Sequence, residues 1–232
     1  MFKDLDIAGK KIRLYPAKRP DAPAVYLNAL DEDCFRVRQL CFDKGCPDFA
    51  LVVVSGLDWN DDLTPWPHDC ITRIGEPYGG KAEGYLRVLV DGILPAVEQE
   101  LETKPAYSAI AGYSFGGLFA LWASFQTDAF SKVVSASGSL WYPGFVEYAH
   151  AHPFSSALNC VYLSLGKKER RTPNRLVRNV EANTQEILEL CRNRNVLARL
   201  EMNSGNHFQD ADERMAKGIA WALRQKCPDG VF

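Results

Sequence analysis

Gly112-Tyr113-Ser114-Phe115-Gly116 sets a serine midway between two glycines, with the apolar run 106–111 before it and the apolar segment 118–125 after it. A serine attacks a carbonyl only when a base removes its proton and when its hydroxyl stands clear of the fold. The Gly-x-Ser-x-Gly spacing supplies the second condition. A strand that turns sharply into a helix lifts the serine to the tip of the turn, where side chains two residues to either side would collide. Glycine is common enough that the bare motif arises by accident, and the competing reading is a glycine-rich turn with Ser114 as a filler or helix cap. What separates the two readings is whether an acid and a base follow.

Both follow, each after a different strand-like run. Cys160–Leu165 leads into Gly166-Lys167-Lys168-Glu169, and Leu197–Met202 leads into Ser204-Gly205-Asn206-His207. In open α/β sheets functional groups gather beyond the carboxyl ends of the strands. The order Ser, acid, His is that of the α/β-hydrolases and differs from the order in other serine-hydrolase folds. His207 is the expected general base, since imidazole titrates near neutrality. Glu169 is the expected orienting acid. It competes with a reading of 167–171 as a solvated charged loop, with Asp210 and Asp212, and with a Ser114–His207 dyad. His150 and His152 read as surface residues. His68 falls in a loop that should overhang the site, where it is either a substrate contact or an exposed loop residue.

Acyl transfer also needs two donors aimed at the developing oxyanion. The N–H of Phe115, next to the nucleophile, is one. The loop after the strand ending at Val54 is expected to give the other, from Leu57 or Asp58. Asp58, Trp59 and Trp66 are the candidate substrate-binding residues, against the alternative that the tryptophans only anchor their loop.

The elements that must position these groups are legible as alternating runs. Ile12–Tyr15 and Ala24–Leu27 read as short opening strands. Phe49–Val54 is β-branched and uncharged, as a strand buried on both faces should be. Further strands are expected at 106–111, 132–137, 160–165 and 197–202. A helical pattern runs from Glu83 to Leu101, kinked or restarted at Pro95. Amphipathic stripes cover 176–191 and 215–223. The long Ser55–Gly80 segment, rich in Gly, Pro, Asp and Trp, is of a length that usually carries function. The expected architecture is one α/β domain over residues 1–232, a mostly parallel central sheet with helices on both faces.

Composition excludes other classes. The 232 residues carry a net charge of −2 with no long block of like charge, so no nucleic-acid partner is expected. No apolar run is long enough to span a bilayer, and the acidic N-terminus is unlike a signal peptide, so a soluble cytoplasmic protein is expected. Seven widely spaced cysteines, an odd number without a C-x-x-C pair, suit a reduced compartment better than a disulfide framework or a metal site. No metal or organic cofactor is expected.

These residues resemble the esterase D and enterochelin-esterase branch of the α/β-hydrolases, which also holds feruloyl esterases and mycolyltransferases. The resemblance spans most of the chain. It rests on Val54-Ser55-Gly56-Leu57, Gly-Tyr-Ser-Phe-Gly-Gly at 112–117, Ser135-Ala136-Ser137-Gly138-Ser139 and Gly205-Asn206-His207. It implies an α/β-hydrolase fold and a serine esterase acting on a small-molecule ester, with Leu57 and Phe115 forming the oxyanion hole. Formylglutathione hydrolases of this branch place an aspartate where Glu169 stands, which points away from their substrate and toward the enterochelin-esterase-like type. Two other readings compete: a non-catalytic ligand sensor on the same scaffold, and an acyltransferase. Substrate identity and oligomeric state are not written in the sequence.

Overall fold

A computed structural model describes residues 2–71, 75–101 and 103–226. Among these residues eight strands form one sheet: β1 (Lys3–Ile7), β2 (Lys10–Tyr15), β3 (Ala24–Asn28), β4 (Ala50–Ser55), β5 (Ser108–Tyr113), β6 (Lys132–Ala136), β7 (Cys160–Gly166) and β8 (Leu197–Asn203). Their spatial order is β1-β2-β4-β3-β5-β6-β7-β8. β1 pairs antiparallel with β2, and β2 with β4; every later pairing is parallel. This is the α/β-hydrolase fold.

The helices are α1 (Phe35–Asp43), α2 (Ala82–Arg87), α3 (Leu94–Leu101), α4 (Phe115–Ala123), α5 (Phe145–Ala151), α6 (Val180–Asn193) and α7 (Ala211–Arg224). They divide between the two sheet faces, and the strands show why. Ala50, Val52 and Val54 of β4 enter the core beneath α2, α3 and α4 with Ala24 and Tyr26 of β3, while Leu51 and Val53 enter the opposite core with Val25 and Leu27. That second core is closed by Val37 and Cys41 of α1 and by Met215 and Ile219 of α7. Alternate residues point to opposite faces, and both faces are apolar, so these strands read as continuous hydrophobic runs.

Three elements depart from the sequence reading. β1 is an edge strand of alternating charge, Lys3-Asp4-Leu5-Asp6-Ile7, with too little apolar content to announce itself. α1 was not visible in the sequence because only Val37 and Cys41 of it are buried. At the expected kink the chain forms a π-helical stretch, Val88–Ile93, which ends two residues before Pro95 and passes without a break into α3.

Among the described residues no helix is long and apolar enough to cross a membrane. Among the described residues, the cysteines at 34, 41, 46, 70, 160 and 191 form no disulfide with one another. Cys227 lies outside the described residues.

Candidate active site

Ser114 stands between β5 and α4 with φ 57° and ψ −120°, backbone angles that an L-residue adopts only under constraint. The constraint is close packing. A Cβ at position 112 would come within 2.2 Å of the Gly116 carbonyl carbon, and one at 117 within 2.9 Å of Ser135 Oγ. The turn is a strained strand-to-helix elbow, and it is tied down on the β6 side: Ser114 N donates to Ala136 O at 3.2 Å, and Ser139 N to Ser114 O at 3.0 Å.

The structure brings Ser114, His207 and Glu169 together. His207 Nε2 lies 3.1 Å from Ser114 Oγ, and Nδ1 lies 2.9 Å from Glu169 Oε2. Because an ionised carboxylate can only accept, Nδ1 carries the proton and Nε2 is left to accept from the serine hydroxyl. The two loops that carry Glu169 and His207 extend the β7–β8 pairing past the strand ends: Lys167 N donates to Asn203 O at 2.8 Å and Lys168 N to Gly205 O at 2.9 Å. Glu169 and His207 thus share one scaffold.

Glu169 is not part of a solvated loop. Its side chain is 4% exposed, and its second oxygen, Oε1, accepts from Gly166 N at 2.6 Å, Ser137 Oγ at 2.8 Å and Arg214 Nη1 at 2.9 Å. Burial alone would raise its pKa, but hydrogen bonds from His207, the Gly166 N–H and Ser137 outweigh it and hold the carboxyl below its ordinary value. Asp210 stands at the N-cap position of α7 without a side-chain capping bond and Asp212 lies in its first turn; the His207 ring bonds to Glu169 and Ser114 instead.

Arg214 was missed in the sequence. It projects from α7 and is completely buried. Besides Glu169 it holds Ser137 Oγ at 2.9 Å, Tyr113 Oη at 3.2 Å, and the carbonyls of Ser204 and Asn206 at 2.9 and 2.8 Å. Tyr113 Oη in turn donates to the His207 carbonyl at 2.7 Å. The backbone on both sides of His207 is therefore fixed by one guanidinium and one phenol. The signal was present in phase: Arg214 lies four and eight residues before Gly218 and Ala222, on the buried stripe, and a cation there requires an internal acid.

Two clefts meet at Ser114. One, of about 380 Å³, runs toward Phe115, Tyr78, Trp141 and the segment 168–180; the other, of about 440 Å³, runs toward Leu27–Asp33, Cys34 and the start of α7. Trp59, Ser114, His207 and Phe208 line both.

Trp59 thus sits where a substrate-binding residue should. Leu57, Asp58 and Trp66 do not, and each has a physical reason. In the sheet order β3 intervenes between β4 and β5, so Leu57, which follows β4, is one strand removed from the elbow and packs on the core. The Asp58 carboxylate accepts from Asn60 N and Asp61 N, and its own N–H is taken by Asp62, which folds the loop on itself. Trp66 Nε1 donates to Pro143 O at 2.9 Å, and its ring packs on Tyr142 and Tyr148, anchoring the loop to α5. His68 pairs through the backbone with Tyr78, which lines the first cleft, but does not itself line either cleft.

The strand actually adjacent to the elbow is β3, with Asn28 opposite Gly112. A Cβ on Gly116 would come within 3.1 Å of the Asn28 carbonyl oxygen, so the chain leaving β3 presses on the first turn of α4. Ala29 N is engaged with Val54 O at 2.9 Å, and Leu30 is the next backbone donor along. No group of three or more His, Cys, Asp or Glu side chains among the described residues is arranged to hold a metal ion.

Residues 35–216 match the model of the family described as Putative esterase. The chain belongs to that family. This esterase-family chain is 25% identical over 172 residues to the uncharacterized protein YbbA of Bacillus subtilis, an alignment covering 71% of the chain and 69% of YbbA. Among solved structures it is similar to the siderophore hydrolase EstA from Aspergillus nidulans (TM-score 0.77, 21% identity, covering 96% of this chain and 94% of that one). It is also similar to an IroE-like serine hydrolase from Shewanella oneidensis (TM-score 0.78, 16% identity, 95% and 79% covered). At these identities the structural likeness speaks for the fold. The family match is what makes this an esterase.

Proposed function

We propose that this esterase hydrolyses carboxylic esters, thioesters included, through an acyl-Ser114 intermediate. The observation that carries the reading is the continuous relay Ser114 Oγ–His207 Nε2 at 3.1 Å and His207 Nδ1–Glu169 Oε2 at 2.9 Å, placed at the elbow where two clefts meet.

In the first half-reaction Ser114 Oγ attacks the acyl carbon as its proton passes to His207 Nε2. The imidazolium is stabilised by the Glu169 carboxylate, which keeps its charge throughout. Two backbone N–H groups, Phe115 and Leu30, take the oxyanion, each contributing about 3 kcal/mol to barrier lowering. The loop after β3 supplies the second donor because β3, not β4, flanks the nucleophile strand. His207 then protonates the leaving oxygen or sulfur, the acyl-enzyme forms, and a water activated by the same nitrogen reverses the sequence to release the acid.

Turnover of p-nitrophenyl acetate tests this. Wild type should exceed background hydrolysis, and His207→Ala should lower kcat by at least about three orders of magnitude. Equal rates for the two proteins would remove His207 from the mechanism.

A further inference from the structure

The two clefts that meet at Ser114 differ in charge. Lys168 and Arg171 line the first, both exposed, and neither has a carboxylate partner among the described residues. The one acid there, Glu169, is buried and committed to His207 and Arg214. The floor beside these cations is aromatic: Tyr78 and Phe115 rings lie 5.2 Å apart, and Phe115 and Trp141 5.7 Å. The second cleft is lined instead by Asp31, Asp33 and Asp212, with no Lys or Arg among its walls. Asp212 meets Arg36 from outside the cleft at 3.4 Å, and Asp33 accepts from Tyr15 Oη at 3.3 Å. At the junction stands Phe208, 88% exposed, its ring edge-on to His207.

Granting the serine-hydrolase reading above, we infer that the groove orients its ester by charge: the half bearing an anionic group on an apolar or planar body lies along Tyr78, Phe115, Lys168 and Arg171, and the other half, neutral or cationic, lies against Asp31, Asp33 and Asp212. An anion placed the wrong way round would meet three carboxylates in a concave wall, where fields are stronger than on an open surface. The aromatic floor, its rings inclined to one another by 73° and 53°, binds an apolar body without demanding hydrogen bonds from it. Opposite charges at the two ends decide register, which sets which side of the ester faces the leaving-group proton on His207.

Two sets of aryl esters test this. In one the acyl group ends in a carboxylate, a methyl ester or a trimethylammonium; in the other the same three charge types sit on the phenol. At low ionic strength one set should favour the anionic member over the neutral by about fivefold or more in kcat/KM, and the other set should disfavour it. In Lys168→Glu/Arg171→Glu, checked for an unchanged unfolding transition, the ratio in whichever set favours the anion should fall to one or below. Flat ratios in both sets, or a preference that survives the charge reversal, would overturn the inference while leaving the hydrolase reading intact. Failure to turn over even the neutral esters would instead overturn the hydrolase reading, and the inference with it.

Discussion

Arg214 donates to Glu169 Oε1 at 2.9 Å, the carboxylate oxygen that His207 does not use. The proposed acid is thereby shared between an imidazole facing the cleft and a guanidinium sealed in the core. Removing one partner of a buried pair typically costs about 3–5 kcal/mol, because the remaining charge stays buried. Arg214→Met should show a loss of this order in urea unfolding. Arg214→Lys keeps the charge but not the fork that reaches Ser204 O and Asn206 O together, so it should recover only part of the stability.

Glu169→Gln addresses the tautomer. An amide can present its N–H to Nδ1 and thereby reverse which ring nitrogen is protonated, leaving Nε2 unable to accept from Ser114. A fall in kcat of about three to four orders of magnitude with KM little changed is expected in steady-state kinetics.

The same carboxyl makes stability depend on pH. Its folded pKa lies below the unfolded value, so its contribution is fully present above about pH 4.3 and is lost as pH falls through the lowered folded value. Urea midpoints of wild type and Glu169→Gln should therefore be well separated at pH 7 and converge below about pH 4. A gap that stays constant across that range would contradict the assignment.

Strain at the elbow can be read by substitution. Ser114→Ala keeps a side chain at φ 57°, whereas Ser114→Gly removes it. Both should be inactive, and the glycine variant should be the more stable by about 1–2 kcal/mol in denaturant unfolding. Gly112→Ala, whose Cβ would meet the Gly116 backbone at 2.2 Å, should fold poorly or not at all.

The sheet's interior was legible because β4, β5, β6 and β7 are buried on both faces and carry no alternation to confuse with a helix. Ser114, Glu169 and His207 were legible for a related reason: each sits just past a strand end, and chain order alone lines them up. Leu57 shows where that logic fails. In the chain, β4 is the last strand before β5, so its loop looks adjacent to the elbow; in space β3 takes that place, and strand order within a sheet is a long-range property with no local mark. Trp59 and Trp66 are seven residues apart in one loop, yet one lines the clefts and the other packs on α5, a division made by tertiary contacts alone. Arg214 needed only the observation that an arginine occupied an apolar helical stripe.

Ser114 as nucleophile and His207 as its activator can be probed at a single bond. Reaction with a fluorophosphonate, followed by peptide mass spectrometry, tests both roles most directly. One adduct is expected, on the peptide containing Gly112–Gly117, absent from Ser114→Ala and formed at least about a hundredfold more slowly in His207→Ala. An adduct on another serine, or equal labelling of folded Ser114→Ala, would contradict it.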